Sequence, residues 1–212
     1  MRRPGHERSS AREARMTIAP SASLFASRPR HAPLQARPCT SALMIADEPG
    51  IAALLSLAAV VPDLMPRSTM LICAADADAI RALRPARLVE IGSPAELPAA
   101  LTALFADARM GLQVHIAGGE ALINQALALV QAAGLPAGAI QTEHRGSPAR
   151  RMQCVHCKTI AEGITTDPYD CPGCGRSLFV RDHFSRRLGA YQGVCVDAET
   201  PGILPEVQEI QA

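Results

Sequence analysis

The sequence predicts an α/β chain: a parallel sheet with crossover helices, followed by a small unit stapled by metal. Three observations carry that reading. Short apolar runs alternate with segments of helical periodicity from Ser41 to about residue 142. Those runs are too apolar for a sheet with one face in water, which favours a sheet covered on both faces. Finally, two Cys-x-x-Cys knuckles, Cys154–Cys157 and Cys171–Cys174, stand 13 residues apart.

Taken in order, residues 1–40 are rich in Arg, Ser, Pro and Ala and lack periodicity. Such a stretch buries too little surface to offset the entropy of ordering, so a disordered basic, Pro-rich tail is expected, with Met1 or Met16 as the start. Glu7, Glu13 and the prolines argue against a transit peptide, and no apolar core marks a secretory signal. Strands are expected at Ala42–Ala46, Met70–Ala74, Leu88–Ile91, Gln113–Ala117 and Ala139–Thr142, with helices at Ile51–Leu64, Ala77–Leu83, Glu96–Ala108 and Glu120–Ala133. Ser93, Pro94 and Glu96 form a capping-box signature, and Gly134 is placed to end the last helix. Leu122, Ile123, Ala126, Leu127, Leu129, Val130 and Ala133 repeat at three and four residues, a stripe that packs on a sheet. Right-handed crossovers make residues 41–147 a Rossmann-like domain, whose ligands would bind at the carboxyl ends of the strands. Residues 148–203 form the second domain, and 204–212 a flexible tail.

Four cysteines at this spacing suit one tetrahedral ion, which makes residues 148–203 zinc-ribbon-like. The region holds too few apolar side chains to close a core unaided, and structural zinc contributes about 10–16 kcal/mol of apparent folding energy. Iron is the alternative, since the second knuckle has a rubredoxin look, although Lys158 follows the first and the intervening loop is short. His156, inside the first knuckle, reads as an exposed loop residue.

Composition narrows the function. A formal charge of +1 with 48% apolar residues describes a globular protein without the strongly basic character of most nucleic-acid-binding domains. A zinc ribbon with an Arg cluster still leaves a nucleic-acid module open. Cys39, Cys73 and Cys195 are scattered, with no disulfide scaffold around them, which fits a reducing cytoplasm. The longest apolar run, Gly50–Pro62, is too short and interrupted for a membrane span. Side-chain motifs for catalysis are absent: no Gly-x-Ser-x-Gly, no Walker loop, no His-Glu-x-x-His, and Glu143-His144 is a pair without a third partner.

Leu43-Met44-Ile45-Ala46 with Gly50-Ile51-Ala52-Ala53-Leu54-Leu55, then Val114-His115-Ile116-Ala117-Gly118-Gly119-Glu120, then Ile140-Gln141-Thr142-Glu143, resemble the nicotinamide-binding domain of ferredoxin reductases of the phthalate dioxygenase reductase type. The departures fall where that family binds its cofactor. Asp47 and Glu48 replace paired glycines at a helix mouth, where negative charge stabilises the helix and repels a pyrophosphate. The family's reactive Cys is Ala117 here. A degenerate cofactor site at Asp47, Glu48, Gly50, Gly118 and Gly119 follows, with NAD(P) and flavin binding not expected, although Gly118 and Gly119 still permit close backbone approach.

Leu178-Phe179-Val180-Arg181-Asp182-His183-Phe184-Ser185-Arg186-Arg187-Leu188-Gly189-Ala190-Tyr191 is the most distinctive polar stretch. With the metal knuckles and the degenerate reductase fold, it resembles the DmmA-type small subunits of bacterial dimethylamine monooxygenase. That resemblance implies an accessory subunit of a complex whose other members supply a haem-dependent oxygenase and a flavin and iron–sulfur reductase. Arg181, His183, Phe184, Arg186, Arg187 and Tyr191 are then expected at a partner interface, the guanidiniums gripping carboxylates and the rings acting as anchors. A solvated loop with its rings tucked inward is the competing reading of the same residues. An iron electron carrier is the alternative role within the complex.

Overall fold

The computed structural model describes residues 29–210. Its first unit is built on β1 (Ser41–Asp47), a strand whose five central residues are all buried. The chain continues through α1 (Ile51–Val60), β2 (Ser68–Cys73), α2 (Asp78–Ala82), β3 (Arg87–Glu90), α3 (Leu97–Phe105), β4 (Leu112–Gly118), α4 (Glu120–Ala132) and β5 (Ile140–His144). All four pairings are parallel and the strand order is β3-β2-β1-β4-β5. Alternate residues of β1 explain the layering. Ala42, Met44 and Ala46 pack with α1 and α2, whereas Leu43 and Ile45 pack with α3 and α4. All five expected strands and all four expected helices are present, with ends moved by a few residues. The first helix stops at Val60 because Pro62 opens a separate 3-10 turn, Pro62–Arg67. The Glu96 carboxylate accepts from the Ser93 and Gly92 amides at the start of α3, as the capping signature predicts.

On the face of the sheet that carries Met44, α1 packs on β1 and β4. Residues 29–40 lie beside it, against β5. The Glu143 carboxylate accepts from the Leu34 amide, the Gln35 backbone and Gln141 side chain exchange two hydrogen bonds, and the Ala32 amide donates to the Thr142 carbonyl. Leu34 and Cys39 pack against the core cluster of this face. The disordered tail expected for residues 1–40 therefore does not hold for 29–40, which form a strap; residues 1–28 lie outside the described residues.

The second unit is mainly β. It comprises β6 (Arg150–Cys154), β7 (Ile160–Ile164), β8 (Thr166–Asp167), β9 (Tyr169–Asp170), β10 (Ser177–Ser185) and β11 (Ala190–Cys195), with β12 (Gln208–Glu209) returning to pair with β8. The larger sheet runs β7-β6-β11-β10-β9, and β6 and β11 are parallel. The flexible tail expected from residue 204 is thus tied down at 208–210, where the Ile210 amide also donates to the Thr165 carbonyl. Among the described residues, no helix is long and apolar enough to cross a membrane.

Candidate metal centre and the closed crevice

The two knuckles are built alike. In the first, the Cys154 amide donates to the Thr159 carbonyl and the Lys158 amide to the Cys154 carbonyl; in the second, Cys171 donates to Arg176 and Gly175 to Cys171. Lys158 (φ 65°) and Gly175 (φ 69°) occupy equivalent left-handed positions, so one knuckle meets with lysine the backbone demand that the other meets with glycine. Each turn aims two sulfurs at a common centre. All four Sγ atoms lie within 4.8 Å of one another, with Cys154–Cys174 at 3.9 Å and Cys157–Cys171 at 3.6 Å. Zinc–sulfur bonds of about 2.3 Å in a tetrahedron require sulfurs about 3.8 Å apart, so the set fits one tetrahedral ion. Cys154 and Cys171 are buried, and Cys157 and Cys174 are half-buried.

Electrostatics within the cluster ask for a cation. Contacts with the Thr159 hydroxyl and amide hold the Cys157 thiol down at about 6. At Cys174 the Arg176 amide lowers the value, but desolvation and the neighbouring sulfurs outweigh it and push the thiol up to about 12. Four sulfurs this close ionise together only when a positive ion offsets their repulsion. The Thr159 hydroxyl, 3.2 Å from Cys157 Sγ, is a supporting contact that the spacing of cysteines alone does not reveal.

The carboxyl end of the parallel sheet, where ligands of such sheets bind, is filled by the chain itself. Asp47 Oδ1 accepts from the Gly50 amide at 3.2 Å and Oδ2 from the Gly119 amide at 2.9 Å. One carboxylate thus takes the amides of both glycine turns. A Cβ on Gly118 (φ 148°) would lie 2.1 Å from Asp47 Oδ1, and one on Gly50 would lie 2.0 Å from the Ala117 carbonyl oxygen. These glycines admit the Asp47 carboxylate and the neighbouring backbone. Burial raises the Asp47 carboxyl above its usual range, opposed by the Gly119 and Gly50 amides. The loop after β5 closes the crevice further: the Arg145 amide donates to the Gly118 carbonyl, and Gly146 sits against Pro49. Glu48 is exposed and touches neither turn amide.

The distinctive polar stretch divides in two. Arg181, His183, Arg186 and Arg187 are exposed, with the Arg181 guanidinium over the Phe179 ring at 5.8 Å. Phe184 and Tyr191 correct the expectation of exposed anchors: they are 6% and 1% exposed and pack edge to face at 5.0 Å inside the second unit. The Tyr191 hydroxyl donates to Glu120 Oε1 at the start of α4, joining the two units, and the Arg150 guanidinium lies 4.5 Å over its ring. Arg150 is itself buried and pairs with Asp182 at 2.9 Å. Sequence reading missed Arg150 and Glu120. The signal for Arg150 was parity, since it falls in phase with the buried Met152 and Cys154 on β6.

Comparison with known proteins fits this two-part organisation. The family described as dimethylamine monooxygenase subunit DmmA-like, N-terminal domain, matches residues 23–140, and its C-terminal domain matches residues 151–194. A protein of Ectopseudomonas mendocina (strain ymp), named heme-dependent oxidative N-demethylase delta subunit, is 41% identical over 120 residues, which are 56% of this chain and 69% of that protein. The first match alone spans more than half of the chain and the second brackets all four cysteines, so this chain belongs to the family of dimethylamine monooxygenase subunit DmmA-like proteins.

Proposed function

We propose that this chain is an accessory subunit, without an active site of its own, in a multicomponent oxygenase that oxidatively N-demethylates a secondary amine. Residues 41–147 act as a Rossmann-like scaffold and residues 148–203 as a zinc-ribbon-like module. Together they hold a haem-dependent oxygenase and a flavin and iron–sulfur reductase in register within the cytoplasm. The observation that carries this reading is the Asp47 carboxylate seated on the Gly50 and Gly119 amides, in the place where a dinucleotide fold receives a pyrophosphate. A second anion there would meet a fixed negative charge and find both donors taken. Membership of the family and the name of the relative support the multisubunit setting. Exposed Arg181, His183, Arg186 and Arg187 supply the cationic part of the docking surface.

Cys154, Cys157, Cys171 and Cys174 would hold zinc, which when bound supplies a redox-silent cross-link between β6 and the start of β10. Iron is the second reading, favoured by the half-burial of Cys157 and Cys174, which leaves one edge of the cluster near solvent. Metal analysis with a visible spectrum separates them: one zinc and no thiolate-to-iron band are expected, and a coloured one-iron protein would make the chain an electron carrier. Two functional tests complete the case. Leaving the chain out of the reconstituted complex should lower N-demethylation, and unchanged turnover would overturn the proposal. Unaided oxidation of NADH or NADPH by the isolated chain would overturn it as well.

A further inference from the structure

Six large apolar side chains stand exposed among the described residues, and three of them lie within five consecutive positions: Ile203 (67%), Leu204 (56%) and Val207 (65%). Such clustering differs from the single exposed residues that any surface carries. This stretch is held at both ends. At its start the Asp197 carboxylate accepts from the Gly202 amide and the Ile203 amide donates to the Thr200 carbonyl. At its end β12 pairs with β8, and Ile210 packs against the core of the second unit. Pro201 and Pro205 favour an extended backbone between the anchors.

Among the described residues, nothing buries this strip. Between residues 205–210 and β10 lies a cleft of about 730 Å³, whose walls carry Pro168, Phe179 and Val180 as well as Arg150, Asp167, Arg181 and Asp182. The strip's apolar side chains, Ile203, Leu204 and Val207, do not line it. Its flanks also have one sign of charge. No Lys or Arg follows Arg187, whereas Asp197, Glu199, Glu206 and Glu209 do.

We propose that residues 203–207 are a preformed docking strip that seats in an apolar groove with a Lys- and Arg-rich rim on another subunit of the demethylase complex. This rests on the accessory-subunit reading above. Both ends being fixed, little ordering entropy is lost on docking, and the acidic flanks orient the approach.

The test measures binding of the full chain to the complex assembled without it, comparing the natural sequence with the triple variant Ile203→Ser, Leu204→Ser, Val207→Ser and with Glu199→Lys, Glu206→Lys. Unchanged metal content and circular dichroism establish that the variants are folded. The serine variant should bind about 100-fold more weakly, and the lysine variant should lose part of its salt dependence. Natural-strength binding by the serine variant overturns the strip while leaving the accessory role standing. Absence of binding by the natural chain overturns both. Loss of a self-associated species in the serine variant, with binding to the complex intact, would assign the strip to a second copy of this chain and overturn the proposal.

Discussion

The two units of this molecule close their cores by different means. In the α/β unit, aliphatic clusters cover both faces of the sheet, with Met44, Leu54, Met70 and Ile80 on one side and Ile45, Leu71, Leu101 and Ile123 on the other. The second unit has nine buried core residues, of which Cys154 and Cys171 belong to the thiol cluster. The first has packing enough to fold without a ligand, and its ligand crevice is filled by Asp47. The second buries fewer side chains, and its four thiols are placed where a bound ion would add the missing cross-link. A unit that closes its own core can fold without a ligand, whereas a small sheet with a thiol cluster would depend on the ion it binds.

Removing the ion is the strongest way to test that contrast. Cys171→Ser, or chelation, should cost the second unit about 10 kcal/mol of apparent stability while β1–β5 stay folded. Hydrogen exchange resolved by segment would show lost protection across residues 150–195 and retained protection across 41–118. Uniform protection after chelation would break the comparison.

A weaker point of the α/β unit lies under its strap. His115, on β4, is 1% exposed, with the Gln35 backbone beside its ring but no well-aligned hydrogen bond at either nitrogen. Burial and the Arg37 charge depress its proton affinity from 6.5 to about 4, with the Gln35 backbone opposing. Between those values the unfolded chain binds a proton that the folded chain refuses. The contribution is therefore intact above pH 6.5 and is lost as pH falls to about 4, by roughly 3 kcal/mol. Denaturant midpoints across that range should flatten in His115→Leu, and an unchanged slope would locate the acid sensitivity elsewhere.

The seam between the units ranks next. Tyr191→Phe removes the hydroxyl that donates to Glu120 and leaves a buried carboxylate short of one donor, at a cost of about 1–2 kcal/mol. The ring still packs on Phe184 and Arg150, so metal content should not change. The two units should then melt further apart, and a single unchanged transition would mean that Tyr191 does not couple them.

Legibility in the sequence followed the range of the interactions. Strands and helices of residues 41–144 were readable because the sheet is covered on both faces and every helix is periodic. The knuckles were readable because each is a local turn. By contrast, the strap is held by Glu143 and Gln141, more than 100 residues away, through side-chain bonds that no local pattern announces. Phe184 was misjudged for a related reason. Asp182 falls in phase with Leu178, Val180 and Phe184 and masks a buried strand, while an irregularity between Arg181 and Phe184 shifts the register.

Asp47 gives the smallest change in stability and the sharpest test of whether its carboxylate keeps a phosphate out of the crevice. Asp47→Ala frees the Gly50 and Gly119 amides at the carboxyl end of β1 and β4, removes a negative charge that touches both, and leaves Gly118 its close approach. Loss of a capping acceptor should cost about 1 kcal/mol. If the carboxylate is what excludes a phosphate, the variant should acquire weak, salt-sensitive binding of ADP or NADH that the natural chain lacks, measurable by titration calorimetry. Should the variant lose stability without gaining that affinity, the loop at Arg145 and Gly146 that packs on Gly118 and Pro49 closes the crevice by itself, and Asp47 is a cap rather than a plug.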